Sequence, residues 1–453
     1  MEQKTASSAS AAVKLHKAIL WLAIPNILSN ISAPLLSSVD TGLMGMLSTL
    51  HIGAVGLGAM LFNFLYWNLS FLRMGTTGLT AQAFGREDTQ TIAYTLLRAL
   101  FLGILLGLLL LCLRTPLLQL GIYLMNVPAE QVELVSNYFS IRLLAAPATL
   151  LLMVLMGWFF GLQNVWYPLL LTLIINTSNI LLSTWLVSSQ GWGVAGVAYG
   201  TVGAQYLGSL VGLMLVVGKY RHYFSTQTQP KRWNWSNILE PQTFRRFLNI
   251  NSDIFIRTFC LTLVFGFFYS QSAVAGGTIL AVNTILMQFL NWMSYGVDGF
   301  AYAAESLVGR YTGANQAKTT KKVIRLSLYW GMVLALVFSL VYGLAGNFIV
   351  ALFSQQETVR AATSPYLPWL VILPIVGTPC YIWDGIFVGL TAVKAMRNSM
   401  LIALLSFVVV YWSLRSASTL NLSHALWLSI MAFLAARGLV QGWWYRQKGL
   451  DLA

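Results

Sequence analysis

Charge is scarce in this chain. Asp and Glu together number 13, and all charged residues make up 9% of the 453 positions, against about a quarter in a soluble domain. An ordinary soluble globular protein is therefore excluded. Histidine is scarcer still. His16, His51, His222 and His424 are the full set, and each falls at the end of an apolar run or in a loop, which argues against a mid-membrane histidine relay and against a metal cluster. The three cysteines, Cys112, Cys260 and Cys380, sit in or beside apolar runs. They read as apolar filler rather than a disulfide framework and leave the redox compartment open. A glycine-rich phosphate loop, a paired-histidine zinc helix and a nucleophile elbow are all missing. That argues against a pump hydrolysing its own ATP and against a membrane hydrolase, so neither an enzyme nor a cofactor is expected.

What fills the chain instead is apolar: 57% hydrophobic residues and a mean hydropathy of +0.70. Twelve apolar spans follow, with rough cores at 18–43, 53–80, 91–113, 134–157, 166–187, 194–217, 247–270, 278–306, 324–350, 366–390, 399–416 and 423–445. A helical crossing needs about 20 such residues, and the pattern predicts an all-α membrane protein. An even number of crossings returns both termini to one side. Alternate loops on that side hold Lys4, Lys14, Lys17, Arg86, Lys219, Arg221, Lys231, Arg232, Arg245, Arg246, Arg310, Lys318, Lys321, Lys322, Arg325, Lys394, Arg397, Arg446 and Lys448; the other side holds Arg114, Arg360 and Arg415. Lys and Arg concentrate in cytoplasmic loops, so both termini are expected in the cytoplasm. The net charge of +14 then reports topology, and nucleic acid is not an expected partner. The first 17 residues are polar, and the apolar run behind them is too long, and without a small-residue cleavage site, for a removable signal. Trp21, Trp67, Trp192, Trp443 and Trp444 suit interfacial belts.

The longest basic loop, about 218–244, parts six spans from six. Gly85 and Gly313, Asn63 and Asn291, and Gly161 and Gly389 are each 228 residues apart, which predicts a duplication. Each half has an even number of spans, so the halves share one orientation, as in transporters built of parallel repeats with substrate held between the halves. The expected organisation is an N-lobe at 1–217, a cytoplasmic linker at 218–244 and a C-lobe at 245–453.

The first span carries Asp40 and, fifteen residues earlier, Pro25. An acid inside a span costs a few kcal/mol to insert and is a functional candidate by default. A proline inside a helix deletes one backbone bond and clashes with the turn before it. Together they point to a proton or cation site coupled to a bend, and the repeat mates, Phe268 and Asp253, do not reproduce the device. Asn176 and Asn179, three residues apart, share a helix face on span 5, as site or as interhelical glue; Asn30 reads as glue. Asp253 and Arg257, four apart on span 7, are expected to pair with each other. Asp298 and Glu305 on span 8, with Arg310, form a gate network or a polar inner mouth. Asp384 lies deeper in span 10, and Arg73, Arg142 and Arg437 are candidate partners for these acids.

The stretches PLLSSVDTG (34–42), FLRMGTTGLTAQAFG (71–85), VDGFAYAAE (297–305), DGIFVGL (384–390) and MRNSM (396–400) resemble the MATE (multidrug and toxic compound extrusion) family, and within it the bacterial DinF branch. The resemblance covers essentially the whole chain. It implies twelve helices in two pseudo-symmetric six-helix lobes, a bacterial inner-membrane location, and export of amphipathic, often cationic compounds driven by inward H⁺ or Na⁺. Membrane lipids are the surroundings, and a monomer is expected. Asp40 matches the family's helix-1 aspartate, the coupling site; Pro25 matches the proline at which helix 1 bends; Asn176 matches a helix-5 polar residue facing the aspartate; Thr201 matches a helix-6 hydroxyl of the same cluster. Ile180 stands where some relatives have a second aspartate. Asp384 resembles a helix-10 acid of the NorM branch, whose helix-7 acid has no match at equal depth. The expected cycle runs through protonation of Asp40, bending at Pro25 and alternating access. Na⁺ coupling and a lipid-linked precursor flippase of related fold are the alternatives.

Overall fold

The computed structural model describes residues 13–32, 43, 49–224, 240–416 and 421–449. The described residues are almost wholly helical, with no strand among them. Ten helical stretches among them are long and apolar enough to cross a membrane: Gly53–Gly85, Thr89–Cys112, Ala129–Gly161, Trp166–Ser189, Gly193–Lys219, Pro241–Val274, Ala317–Phe353, Glu357–Gly389, Val393–Ser416 and Leu422–Lys448. These are spans 2–7 and 9–12. Span 1 is helical over 13–32, and Asp40 lies outside the described residues. Span 8 is the 37-residue helix Gly277–Gly313, whose apolar run is diluted by Asn283, Gln288 and Asn291.

Three spans are helices in series. Span 2 comprises Thr49–Asn68 and Phe71–Gly85. Within spans 4 and 10 a 3-10 turn, Leu143–Ala145 and Ser364–Tyr366, joins two α-helices. Behind it Pro147 and Pro368 open the next helix, where a missing N–H loses no bond.

The duplication is written into the backbone. Glu87 and Asn315 have φ of 59° and 56°, and Gln163 and Thr391 have 61° and 54°; both pairs are 228 residues apart. Positive φ is uncommon outside glycine, so the same two turns have been built twice. Packing repeats at that offset too. Gly157 lies on the Arg73 carbonyl and Gly385 on that of Ala301. A Cβ at Gly161 would sit 2.9 Å from the Thr77 carbonyl oxygen, and one at Gly389 2.6 Å from that of Glu305. Small residues let membrane helices meet backbone to backbone, here span 4 on span 2 and span 10 on span 8.

By packing, the chain forms two compact units, Leu28–Asn251 and Ser252–Ala453 with Met1–Ile27. In the first, span 6 presents Gly196, Gly200, Ala204, Gly208 and Gly212, every fourth residue. The glycines of this stripe lie against Leu186, Ser183, Ile175 and Leu171 of span 5 and the turn after it. Trp158 is fully buried and donates to the Ile92 carbonyl at 3.1 Å. In the second, Phe268, Phe289, Phe387, Trp427 and Phe433 centre the core. There the first part of span 1 packs through the Ala23 carbonyl and Ile27 on Gly299, and His16 Nδ1 accepts from Trp330 Nε1 at 3.0 Å. The division thus falls inside helices. Span 1 changes unit two residues after Pro25, and the start of span 7 stays in the first unit, with Asn251 against Gly75.

Candidate functional site

In the unit Leu28–Asn251, the helix Trp166–Thr184 carries Thr172, Asn176, Asn179 and Ser183. Their spacing of four, three and four keeps all of them on one face. At one end, the hydroxyls of Ser29 and Thr172 share a hydrogen bond of 2.9 Å. Seven residues on, Asn179 Nδ2 donates to Thr201 Oγ1 at 2.9 Å, and Thr201 donates on to the Val197 carbonyl at 3.0 Å. Asn179 and Thr201 are both buried. Asn179 Oδ1 and Ser183 Oγ are buried with no hydrogen-bond partner among the described residues. Sequence reasoning set Asn176 and Thr201 in one cluster around Asp40; in the structure Thr201 bonds Asn179, and Asn176 is half-buried on the same face. Thr172 and Ser183 were missed, although their spacing from Asn176 and Asn179 was visible. A π-helical turn, Trp185–Ser189, follows directly, and such turns are frequent at functional sites.

Pro25 is buried inside a continuous helix. It cannot bond to the Trp21 carbonyl. One residue on, Asn26 Nδ2 donates to the Leu22 carbonyl at 2.9 Å, a side-chain substitute of the kind that lets membrane helices keep a proline.

The ionic chemistry of the second unit departs from the sequence reading. Asp253 and Arg257 do not pair with each other. Asp253 meets Arg397 of span 11, and Arg257 meets Asp384 of span 10. An i, i+4 pair is worth only about 0.2–0.5 kcal/mol on a helix surface, and partners on neighbouring helices displace it where burial strengthens the interaction. Asp384 Oδ2 accepts from Arg257 Nη2 and Arg437 Nη2, and Oδ1 accepts from Gln441 Nε2 at 2.8 Å and from Arg437 Nε at 3.4 Å. The guanidinium of Arg437 lies 5.4 Å over the Tyr381 ring, and Asp298 is within electrostatic range of Arg257. Of the proposed partners Arg437 is therefore the one on Asp384, while Arg73 and Arg142 lie over the Phe160 and Phe62 rings. Glu305 is buried on span 8, and Arg310 lies over Tyr311. Gln441 was missed, because a glutamine near a span end has no signal of its own.

A family model, MatE, matches residues 25–185 and 254–412. The chain belongs to the MatE family. Its members are membrane transporters and not enzymes, and this is a multi-pass, all-helical example. The chain is 40% identical over 93% of its length, and 90% of the relative's, to DNA damage-inducible protein F of Escherichia coli (strain K12). It is 23% identical to a probable multidrug resistance protein, NorM, of Thermotoga maritima, over 80% of this chain and 75% of that one. A crystal structure of a MATE protein in a bent conformation superposes with a TM-score of 0.86 at 19% identity, covering 97% of this chain and 98% of that one. The twelve-helix, two-bundle fold expected from the motifs is the fold of this chain.

Proposed function

We propose that this MatE-family transporter is a proton-coupled antiporter of the inner membrane, with both termini in the cytoplasm, that exports amphipathic, often cationic compounds. The observation carrying this reading is the polar face of span 5 together with its tie to span 1 just past Pro25. Ser29 and Asp40 are eleven residues apart, as are Thr172 and Ser183. In this reading Asp40 meets that polar face, where the unpartnered oxygens of Asn179 and Ser183 suit a protonated carboxyl. In this reading Asn176, Asn179 and Thr201 bind the carboxyl in one protonation state, and Pro25 lets span 1 change shape when that state changes. Support for the substrate class comes from the name of the Thermotoga relative and from the apolar, aromatic-rich composition, 13% Phe, Trp and Tyr, which suits adaptable binding. The two halves alternate access, and the protein acts as a monomer among lipids without a cofactor.

Ethidium efflux from right-side-out vesicles, driven by a pH gradient with and without Na⁺, tests the reading. Efflux that follows the pH gradient, ignores Na⁺ and is lost in a well-expressed Asp40→Asn variant is expected. Undiminished efflux by that variant, or efflux driven by Na⁺ alone, refutes proton coupling at Asp40.

A further inference from the structure

A buried carboxylate inside a membrane protein is by default an ion site, and Asp384 is the most enclosed such acid for which the structure gives the full set of partners. A carboxylate has about four lone-pair positions. Here all four are taken, two on Oδ2 by Arg257 and Arg437 and two on Oδ1 by Arg437 and Gln441. The donors come from two helices, Pro241–Val274 and Leu422–Lys448, and the acid from a third, Leu367–Gly389. The side chains of Arg257, Arg437 and Asp384 are 10%, 0% and 7% exposed. Both guanidiniums meet Asp384, and Asp298 lies within electrostatic range of Arg257. Guanidinium is the cation best suited to such burial, being always charged, planar and weakly hydrated.

We propose that Arg257 and Arg437 are specificity determinants that close Asp384 to solute cations. They occupy, as tethered cations, the place that Na⁺ or the ammonium group of an organic cation would take on a free buried acid. Any arriving cation would find no open lone pair and two like charges within the same shell. Asp384 is therefore silent toward coupling ions and cationic substrates. This inference is independent of how Asp40 acts. Replacing both guanidiniums by neutral amides should convert Asp384 into a cation site.

Rb⁺ binding to purified protein tests this, in an Asp40→Asn background so that no site at Asp40 is counted. Arg257→Gln with Arg437→Gln should gain one Rb⁺ site per chain, and adding Asp384→Asn should remove it. The parent protein and its Asp384→Asn variant should bind Rb⁺ alike. A parent site that disappears with Asp384→Asn overturns the proposal, as does a folded double variant that gains none. One measurement needs no variant. Carbodiimide labelling of the native protein, read by peptide mass spectrometry, should leave Asp384 unmodified at every Na⁺ concentration, and labelling there that Na⁺ suppresses overturns the proposal even if the substituted proteins fail to fold.

Discussion

Asp384→Asn preserves shape and removes one charge. It strands Arg257 and Arg437, whose side chains are 10% and 0% exposed. Removing one partner of a buried ion pair costs about 3–5 kcal/mol, because the other charge stays buried without compensation. Asp253→Asn makes the same chemical change, but its partner Arg397 is 30% exposed, so water replaces the lost carboxylate and the cost falls toward the ~1 kcal/mol of exposed pairs. A compact unit of this size loses roughly 2–4 °C per kcal/mol, so Asp384→Asn should lower the midpoint by on the order of 10 °C and Asp253→Asn by a few degrees. The chain carries its own reporters: Cys260 and Cys380 are free and buried in the affected unit, while Cys112 is exposed. A thiol-reactive fluorophore added during heating in detergent therefore reads that unit's opening above the constant signal of Cys112. Adding Arg437→Gln to Asp384→Asn should recover part of the loss, since coupled neighbours are non-additive. Equal midpoints for Asp384→Asn and Asp253→Asn, or additive effects in the cycle, would refute the argument from burial.

Gly161→Ala and Gly389→Ala should each cost about 1–3 kcal/mol by overpacking, and by similar amounts because they fill the same contact in two copies. Gly56→Ala and Gly266→Ala, with nothing within 4 Å of the new carbon, should be neutral or slightly stabilising in the same melts. Thr201→Val breaks the bond to Asn179 and is expected to lower pH-driven efflux several-fold with little change in midpoint; unchanged efflux would remove Thr201 from the coupling site. After the last turn of span 6, burial pushes the Tyr220 and Tyr223 hydroxyls above the ordinary tyrosine range. The native state then holds these protons more tightly than the unfolded chain, so their contribution is intact below about pH 10 and is lost as pH rises through the raised values. Midpoints should fall in alkali, and Tyr223→Phe should lessen that fall.

Much of the architecture was legible beforehand. The spans emerged from hydropathy, and the turns at Glu87 and Asn315 or Gln163 and Thr391 repeat at the spacing that Gly161 and Gly389 had already shown. The site was legible in part. Span 5 offered Asn176 and Asn179 on one face, but which of them meets Thr201 depends on how the span-6 stripe Gly196–Gly200–Ala204 seats itself on Ser183 and Leu186, a rotation that no single helix specifies. Gln441 had no reading in advance, since its role exists only where span 12 passes Asp384.

The sequence by itself determined the class, the crossings, the duplication and the family, because each rests on properties a segment carries alone: the solvation of its side chains in lipid, the missing N–H of a proline, residues repeated at one spacing. Only the tertiary structure decided the pairings. Asp253 and Arg257 are neighbours along one helix, yet each is matched across helices, with Arg397 and Asp384. A buried charge goes to the partner that also completes its hydrogen bonds and keeps out water, and that partner is set by which helices lie side by side.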